Sequence, residues 1–267
     1  MNSMIRTLLV TLLLVSAAAS SQADPVDPYD PERALAISQA AIGHIIADHQ
    51  FIDRMNRKVR ISDYAGKPLI ISMIFTSCHH VCPMITKHLD KASKVAREVL
   101  GEDSFEIVTI GFDAARDTPD AMQAFAREQS VNGAGWAFLS GSEETIEALS
   151  KDLGFIFFPS PRGFDHINQV TVIDRNRTVY SQVYGATFEL PWLVEPLKQL
   201  VFNRPEATGH FVSSLADRVR LFCTVYNPSS GRYEFDYSLF IQMAVGLMAI
   251  LSVVVFLWRG SRPPRKT

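Results

Sequence analysis

The run Leu69 to Phe75, LIISMIF, constrains the fold of this chain more than any other stretch. Six apolar side chains and one serine suit a strand buried on both faces. Such a strand needs a covering layer on each side, which points to an α/β sheet. The following segments agree. Pro83 to Leu100 is patterned as a helix and stops at Gly101. Phe105 to Phe112 is a second strand. Thr118 can cap a helix that carries Pro119 in its first turn and runs to Gln129. Trp136 to Leu139 is a short strand, and Ser142 caps a helix from Glu143 to Leu153 that Gly154 ends. Pro159, Pro161 and Gly163 mark a loop. Gln169 to Ile173 and Thr178 to Val183 flank Asp174-Arg175-Asn176-Arg177 as a hairpin, and Leu190 to Phe202 is a last helix. A βαβ half followed by a ββα half predicts a thioredoxin-like sheet with one inserted strand–helix unit.

The two ends predict a membrane protein. Residues 1–23 hold Arg6, an apolar run from Leu8 to Ala19 and the close Ser21-Gln22-Ala23, a signal peptide pattern. The run is short for a span, so cleavage is the reading and an uncleaved anchor the alternative. No cysteine follows it, so lipid attachment there is not expected. Residues 24–42 open on DPVDPYDPE and read as a linker, with a helical stretch around Arg33 to Ile46. The folded domain is expected over 43–205. Residues 206–237 form a juxtamembrane segment with a hairpin between Leu221 to Tyr226 and Arg232 to Phe235. Residues 238–258 carry no charge and are expected to form a C-terminal transmembrane helix flanked by Tyr233, Tyr237 and Trp258. Residues 259–267 are a basic tail with Arg259, Arg262, Arg265 and Lys266, which predicts a cytoplasmic C-terminus and an outward-facing domain. The formal net charge is -2, so nucleic acid is not an expected partner.

Cys78 and Cys82 lie where the first buried strand gives way to a helix, in Thr76-Ser77-Cys78-His79-His80-Val81-Cys82-Pro83. Residues four apart share a helical face, so the sulfurs can converge. A helix N-terminus favours thiolate, the form that binds soft metal or attacks a disulfide. Three intervening residues permit a disulfide and also leave a bite for one metal ion. Two thiolates need a third ligand, and imidazole is the usual one. Of His44, His49, His79, His80, His88, His166 and His210, the candidate is His166. It lies just before the hairpin, in a segment that abuts the cysteine turn in a thioredoxin-like sheet.

With those motifs in hand, the chain resembles the Sco/SenC family of copper-handling thioredoxin-like proteins. The resemblance rests on residues 76–83, on Phe112-Asp113-Ala114-Ala115-Arg116-Asp117-Thr118-Pro119, on Asp165-His166 and on Val172-Ile173-Asp174. It covers roughly Ile45 to Asn203. It implies copper, as Cu(I) or Cu(II), on Cys78, Cys82 and His166. It further implies a metallochaperone more than an enzyme, with Cys78 and Cys82 as a redox pair. The implied partners are the copper-bearing subunit of cytochrome c oxidase, whose binuclear site is loaded or prepared, and a thioredoxin-like reductant. The two ends of the chain, not the resemblance, give the expected location: a bacterial inner membrane, single-pass through the C-terminal span, with the domain in the periplasm and the tail in the cytoplasm. The chain differs from most members in its C-terminal placement of the membrane span and in His79 and His80 between the cysteines.

Two other readings use the same cysteines. One is a thiol–disulfide oxidoreductase acting on oxidase or other extracytoplasmic cysteines. The other is a thioredoxin-fold peroxidase, which expects an arginine near the cysteine turn, and none is evident. His79 and His80 are expected to be exposed and His88 solvated. Asp113 and Asp117 can shape the electrostatics near the site, but a purely structural role is the expectation for both, for Asp117 in the turn before the helix. Cys223 has no obvious mate.

Overall fold

The computed structural model describes residues 29–131, 133–202, 224–228, 230, 232–235 and 237–260. The signal segment 1–23, Cys223, His210 and residues 261–267 of the basic tail lie outside them.

Asp30 accepts hydrogen bonds from the backbone N–H groups of Glu32 and Arg33 and starts α1 (Pro31–Ala40) with proline in the first turn. The chain then turns at Gly43, where φ is 93°, so the helix expected to reach residue 46 ends at Ala40. β1 (Gln50–Asp53) and β2 (Lys58–Arg60) follow as an antiparallel hairpin. β3 (Leu69–Ile74) is buried at every position, as its composition predicts. After it come α2 (Val81–Leu100), β4 (Glu106–Gly111), α3 (Pro119–Glu128), β5 (Trp136–Ser140) and α4 (Glu143–Leu153). Thr118 and Ser142 cap α3 and α4 as the sequence predicts. Gly154, at φ 62°, ends α4 so close to α1 that an added Cβ would lie 2.6 Å from the Ile37 carbonyl oxygen.

The segment predicted as a loop around Pro159 is a small hairpin, β6 (Phe157–Ser160) with β7 (Gly163–His166), separate from the main sheet. β8 (Gln169–Ile173), β9 (Val179–Tyr184) and α5 (Leu190–Phe202) complete the domain. The main sheet has seven strands in the order β2-β1-β5-β4-β3-β8-β9. β3, β4 and β5 run parallel, while β8 and β9 are antiparallel. β3-α2-β4 and β8-β9-α5 are the two halves of the expected thioredoxin-like unit, and β5 with α4 is the inserted strand–helix pair. Ile70, Ile74, Leu89, Ile107, Phe138 and Val172 have no exposed surface and mark a core centred on β3 and β4.

β10 (Thr224–Asn227) and β11 (Arg232–Phe235) form the second expected hairpin, and Tyr233 donates to the Glu195 carboxylate on α5 at 3.2 Å. α6 (Ser238–Gly260) follows, with its described apolar side chains exposed. The sequence predicted a transmembrane helix here, and the structure corrects it: among the described residues no helix is long and apolar enough to cross a membrane. The expected localisation, a single-pass C-terminal anchor in a bacterial inner membrane, is corrected with it.

Candidate metal centre

The cysteine turn is built from the C-terminal end of β3. Phe75 leaves the strand, the Cys78 amide returns to the Phe75 carbonyl at 3.1 Å, and α2 begins at Val81. This geometry aims the first amides of α2 at the Cys78 sulfur. Backbone N–H groups of His80, Val81 and Cys82 donate to it, that of Cys82 at 3.4 Å. The Cys82 thiol also donates to it and is the largest influence on its acidity. Together these bring the Cys78 thiol down to about 4, against the opposing effect of burial. Cys82, 2% exposed, is pushed far up, first by its bond to the Cys78 sulfur and then by burial. At neutral pH the pair is therefore one thiolate, half-exposed, and one buried thiol hydrogen-bonded to it. No disulfide joins them.

A buried carboxylate holds the turn in place. Asp117, 1% exposed, accepts from the Thr76 amide at 2.8 Å and the Thr76 hydroxyl at 2.7 Å through one oxygen, and from the Asp113 amide at 2.9 Å through the other. It ties the loop before α3 to the loop before α2. Burial raises its pKa in spite of those donors, and the neighbouring Asp113 adds to the rise. Gly111 makes room for it, since a Cβ there would fall 2.3 Å from the Asp117 Cβ. Sequence reasoning favoured a local role for Asp117 in its own turn over an electrostatic one near the site. The hydrogen bond to Thr76, 41 residues away, is what it missed. Asp113 pairs with Arg116 at 3.0 Å.

His166 ends β7, opposite Phe157. Its ring lies among Phe75, Phe112 and Phe155, at centroid distances of 6.0, 5.2 and 5.4 Å. The close approach of β7 to the end of β3 depends on Gly163, where φ is 115° and an added Cβ would meet the Phe75 ring at 2.8 Å. His166 Nδ1 lies 3.0 Å from the Ile167 carbonyl oxygen, which can only accept, so Nδ1 carries the proton and Nε2 keeps its lone pair. Burial lowers the imidazole pKa, so the ring is neutral at pH 7, while the Cys78 thiolate is near enough to oppose that shift.

The structure thus brings Cys78 and Cys82 into direct contact and sets His166 in the adjoining aromatic pocket. Among the described residues, no group of three or more His, Cys, Asp or Glu side chains is drawn together closely enough to hold a metal ion. His79 and His80 are exposed, as expected. His88 was expected to be solvated, yet its Nε2 donates to the Phe188 carbonyl at 2.6 Å and its ring packs on Phe188. The peroxidase reading gains nothing, since Arg116 is engaged with Asp113.

A family model described as SCO1/SenC matches residues 38–200. The protein sco1 of Schizosaccharomyces pombe is 27% identical over 129 residues, which cover 48% of this chain and 47% of that protein. A SCO1/SenC family lipoprotein from Bacillus anthracis str. Ames has a similar structure, with a TM-score of 0.54 at 25% identity over 59% of this chain and 95% of that one. Arabidopsis thaliana ScoI, solved with copper bound, shares the fold at 20% identity with a TM-score of 0.51, over 58% of this chain and 99% of that one. The chain spans about half to two thirds of the length of the curated relatives it matches.

Proposed function

This chain belongs to the SCO1/SenC family, and from that premise we propose that it is a copper-handling protein that carries copper on Cys78, Cys82 and His166 toward the binuclear copper site of cytochrome c oxidase, or prepares that site. The observation that carries the reading is the pairing of Cys78 and Cys82 at the head of α2, where the Cys82 amide donates to the Cys78 sulfur at 3.4 Å and the Cys82 thiol is its hydrogen-bond partner. A thiolate and a second sulfur at one point form a soft donor pair, which suits Cu(I). The neutral His166 ring, with Nε2 unprotonated, is the nearby borderline donor that suits Cu(II). Bringing Nε2 to the sulfurs asks for movement of the β6–β7 hairpin. That hairpin is bonded as a two-stranded ribbon of its own and is not a member of the main sheet, which supports such movement. Three protein donors leave a position open for an incoming ligand of the acceptor, so the metal can leave by exchange. The oxidised pair, as a disulfide, offers no thiolate, so a thioredoxin-like reductant belongs in the cycle.

Two outcomes are expected. Loading the reduced protein with Cu(I) at pH 7 releases about one proton, because Cys78 is already a thiolate and only Cys82 must ionise. Calorimetry in buffers of different ionisation enthalpy counts the protons, and release of two would contradict the assigned ionisation states. Replacing His166 with alanine weakens Cu(II) binding by roughly tenfold or more while Cu(I) binding falls much less. Competition titrations against chelators for each oxidation state measure both, and equal losses would remove His166 from the ligand set.

The low pKa of Cys78 beside a buried Cys82 also favours a thiol–disulfide oxidoreductase acting on oxidase cysteines. That activity needs no metal. Anaerobic purification with metal analysis, paired with an insulin reduction assay, separates the two: stoichiometric copper with negligible reductase activity supports the copper carrier, and the reverse supports the reductase.

A further inference from the structure

Met84 and His88 stand four residues apart in α2, on one face of successive turns, which puts their Cβ atoms about 5–6 Å apart. Both line a cavity of about 380 Å3 just beyond the cysteine pair. Met84 is 45% exposed, while its neighbour Ile85 is buried, so the core does not take up the Met84 thioether. One turn before Met84 comes His80, whose carbonyl accepts from the Met84 amide at 3.3 Å. The His80 amide in turn donates to the Cys78 sulfur, so this row of side chains begins at the cysteine pair.

His88 is held in the way a ligating histidine is held. Its Nε2 lies 2.6 Å from the Phe188 carbonyl oxygen, which can only accept. Nε2 therefore carries a proton, and in the neutral ring the lone pair is on Nδ1. The buried Phe188 ring stands edge-on to the imidazole, with centroids 4.5 Å apart. An N–H donated to a backbone carbonyl fixes both tautomer and ring orientation, the outer support that metal-binding imidazoles have. His166 has the same support through its other nitrogen, from the Ile167 carbonyl.

Donor chemistry selects the ion. A thioether and an imidazole are neutral donors that suit Cu(I), which accepts as few as two, whereas a hard divalent ion asks for oxygen ligands. No carboxylate lines the cavity. Lys87 and Lys91 line it and are exposed, and Glu189, two residues past Thr187, is exposed as well, so charge does not choose the occupant. The unbranched Met84 side chain has the rotational freedom to bring its sulfur to a metal on Nδ1.

We propose that Met84 and His88 form a second copper site, which takes Cu(I) through the Met84 sulfur and His88 Nδ1. The proposal rests on the copper-carrier reading for the identity of the metal. Neutral donors hold Cu(I) less tightly than thiolates, so the cysteine pair fills first and this site second.

The test uses the full chain with Cys78→Ser, Cys82→Ser and Cys223→Ser, so that its outcome does not depend on the cysteine pair. The chain, labelled with carbon-13 at the methionine methyl groups, is titrated anaerobically with Cu(I) against a competing chelator. One Cu(I) per chain is expected at this site, with a shift of the Met84 methyl resonance, which is assigned by its loss in Met84→Leu. In the same background Met84→Leu keeps the apolar bulk, and His88→Gln keeps an N–H for the Phe188 carbonyl. Each should bind Cu(I) at least about tenfold more weakly. Met55→Leu removes a thioether that is 62% exposed elsewhere and should bind as its parent. The wild-type chain provides a second measurement, since its second equivalent of Cu(I) should shift the same methyl resonance. No shift at Met84 in either chain, or unchanged affinity in both Met84→Leu and His88→Gln, would overturn the proposal. Failure of the copper-carrier reading shows separately, as a wild-type chain that binds no more Cu(I) than the serine chain.

Discussion

Cys78→Ser is expected to abolish stoichiometric copper binding, with Cu(I) affinity falling by at least about a thousandfold. The reason lies in how the sulfur is held. Backbone amides at the head of α2 and the Cys82 thiol stabilise the charge on Cys78 and bring its pKa to about 4. A serine hydroxyl in the same place stays neutral at any accessible pH and is a hard, poor donor to copper. The remaining thiol cannot compensate. Cys82 is 2% exposed, burial opposes its ionisation even without the neighbouring sulfur, and alone it is half of the donor pair. Removing that sulfur lets the Cys82 pKa fall, but burial remains, so native Cys82 in this variant should still be alkylated at higher pH than in the unfolded chain. Equilibrium dialysis of the reduced, purified protein measures the stoichiometry. Full retention of one copper per chain would remove the cysteine pair from the site.

Asp117→Ala is expected to give the largest loss of stability among substitutions at the site, about 3–5 kcal/mol. Three donors, the Thr76 amide, the Thr76 hydroxyl and the Asp113 amide, converge on this one side chain. Each buried donor left without an acceptor costs about 1–3 kcal/mol, and the relief of no longer burying a carboxylate offsets part of the sum. The loss is a large share of the roughly 5–15 kcal/mol that holds a typical domain together. Asp117→Asn keeps the shape and one acceptor oxygen, so its loss should fall between alanine and wild type. Urea unfolding monitored by fluorescence and circular dichroism gives both values. Because Asp117 fixes the start of the cysteine turn, copper affinity should fall in the same order. A change below about 1 kcal/mol for alanine would show that the turn is held by other contacts.

Much of this architecture is legible in the sequence because local signals and tertiary demands agree. The LIISMIF run is buried along its whole length as β3. The caps Thr118 and Ser142 and the stop at Gly154 sit where helix chemistry puts them. What escaped has a physical cause in each case. β1 and β2 are four and three residues long, too short for alternation to register, and they gain their place by pairing at the sheet edge. The β6–β7 hairpin contains Pro159 and Pro161, which read as loop. It is held by the aromatic contacts of Phe157 and Phe164 with Phe112, which only the folded chain assembles.

The site divides along the same line. Cys78 and Cys82 are close in sequence, and a helical turn brings them together, so their partnership could be read from spacing alone. Asp117 is remote from Thr76, and its grip on the cysteine turn depends on β3 and β4 lying side by side. His166 was singled out by its position before the β8–β9 hairpin. The structure adds what spacing could not supply, namely the proton on Nδ1, the aromatic pocket and the glycine that lets β7 approach Phe75. At the apolar stretch near the C-terminus the sequence predicts a membrane span, and no helix among the described residues is long and apolar enough to be one.

X-ray absorption at the copper edge of the reduced, copper-loaded chain tests the central claim most directly. Two sulfur neighbours are expected for Cu(I), and one additional nitrogen for Cu(II), with the nitrogen lost in His166→Ala. A spectrum showing only oxygen and nitrogen neighbours, unchanged in Cys78→Ser, would contradict the account.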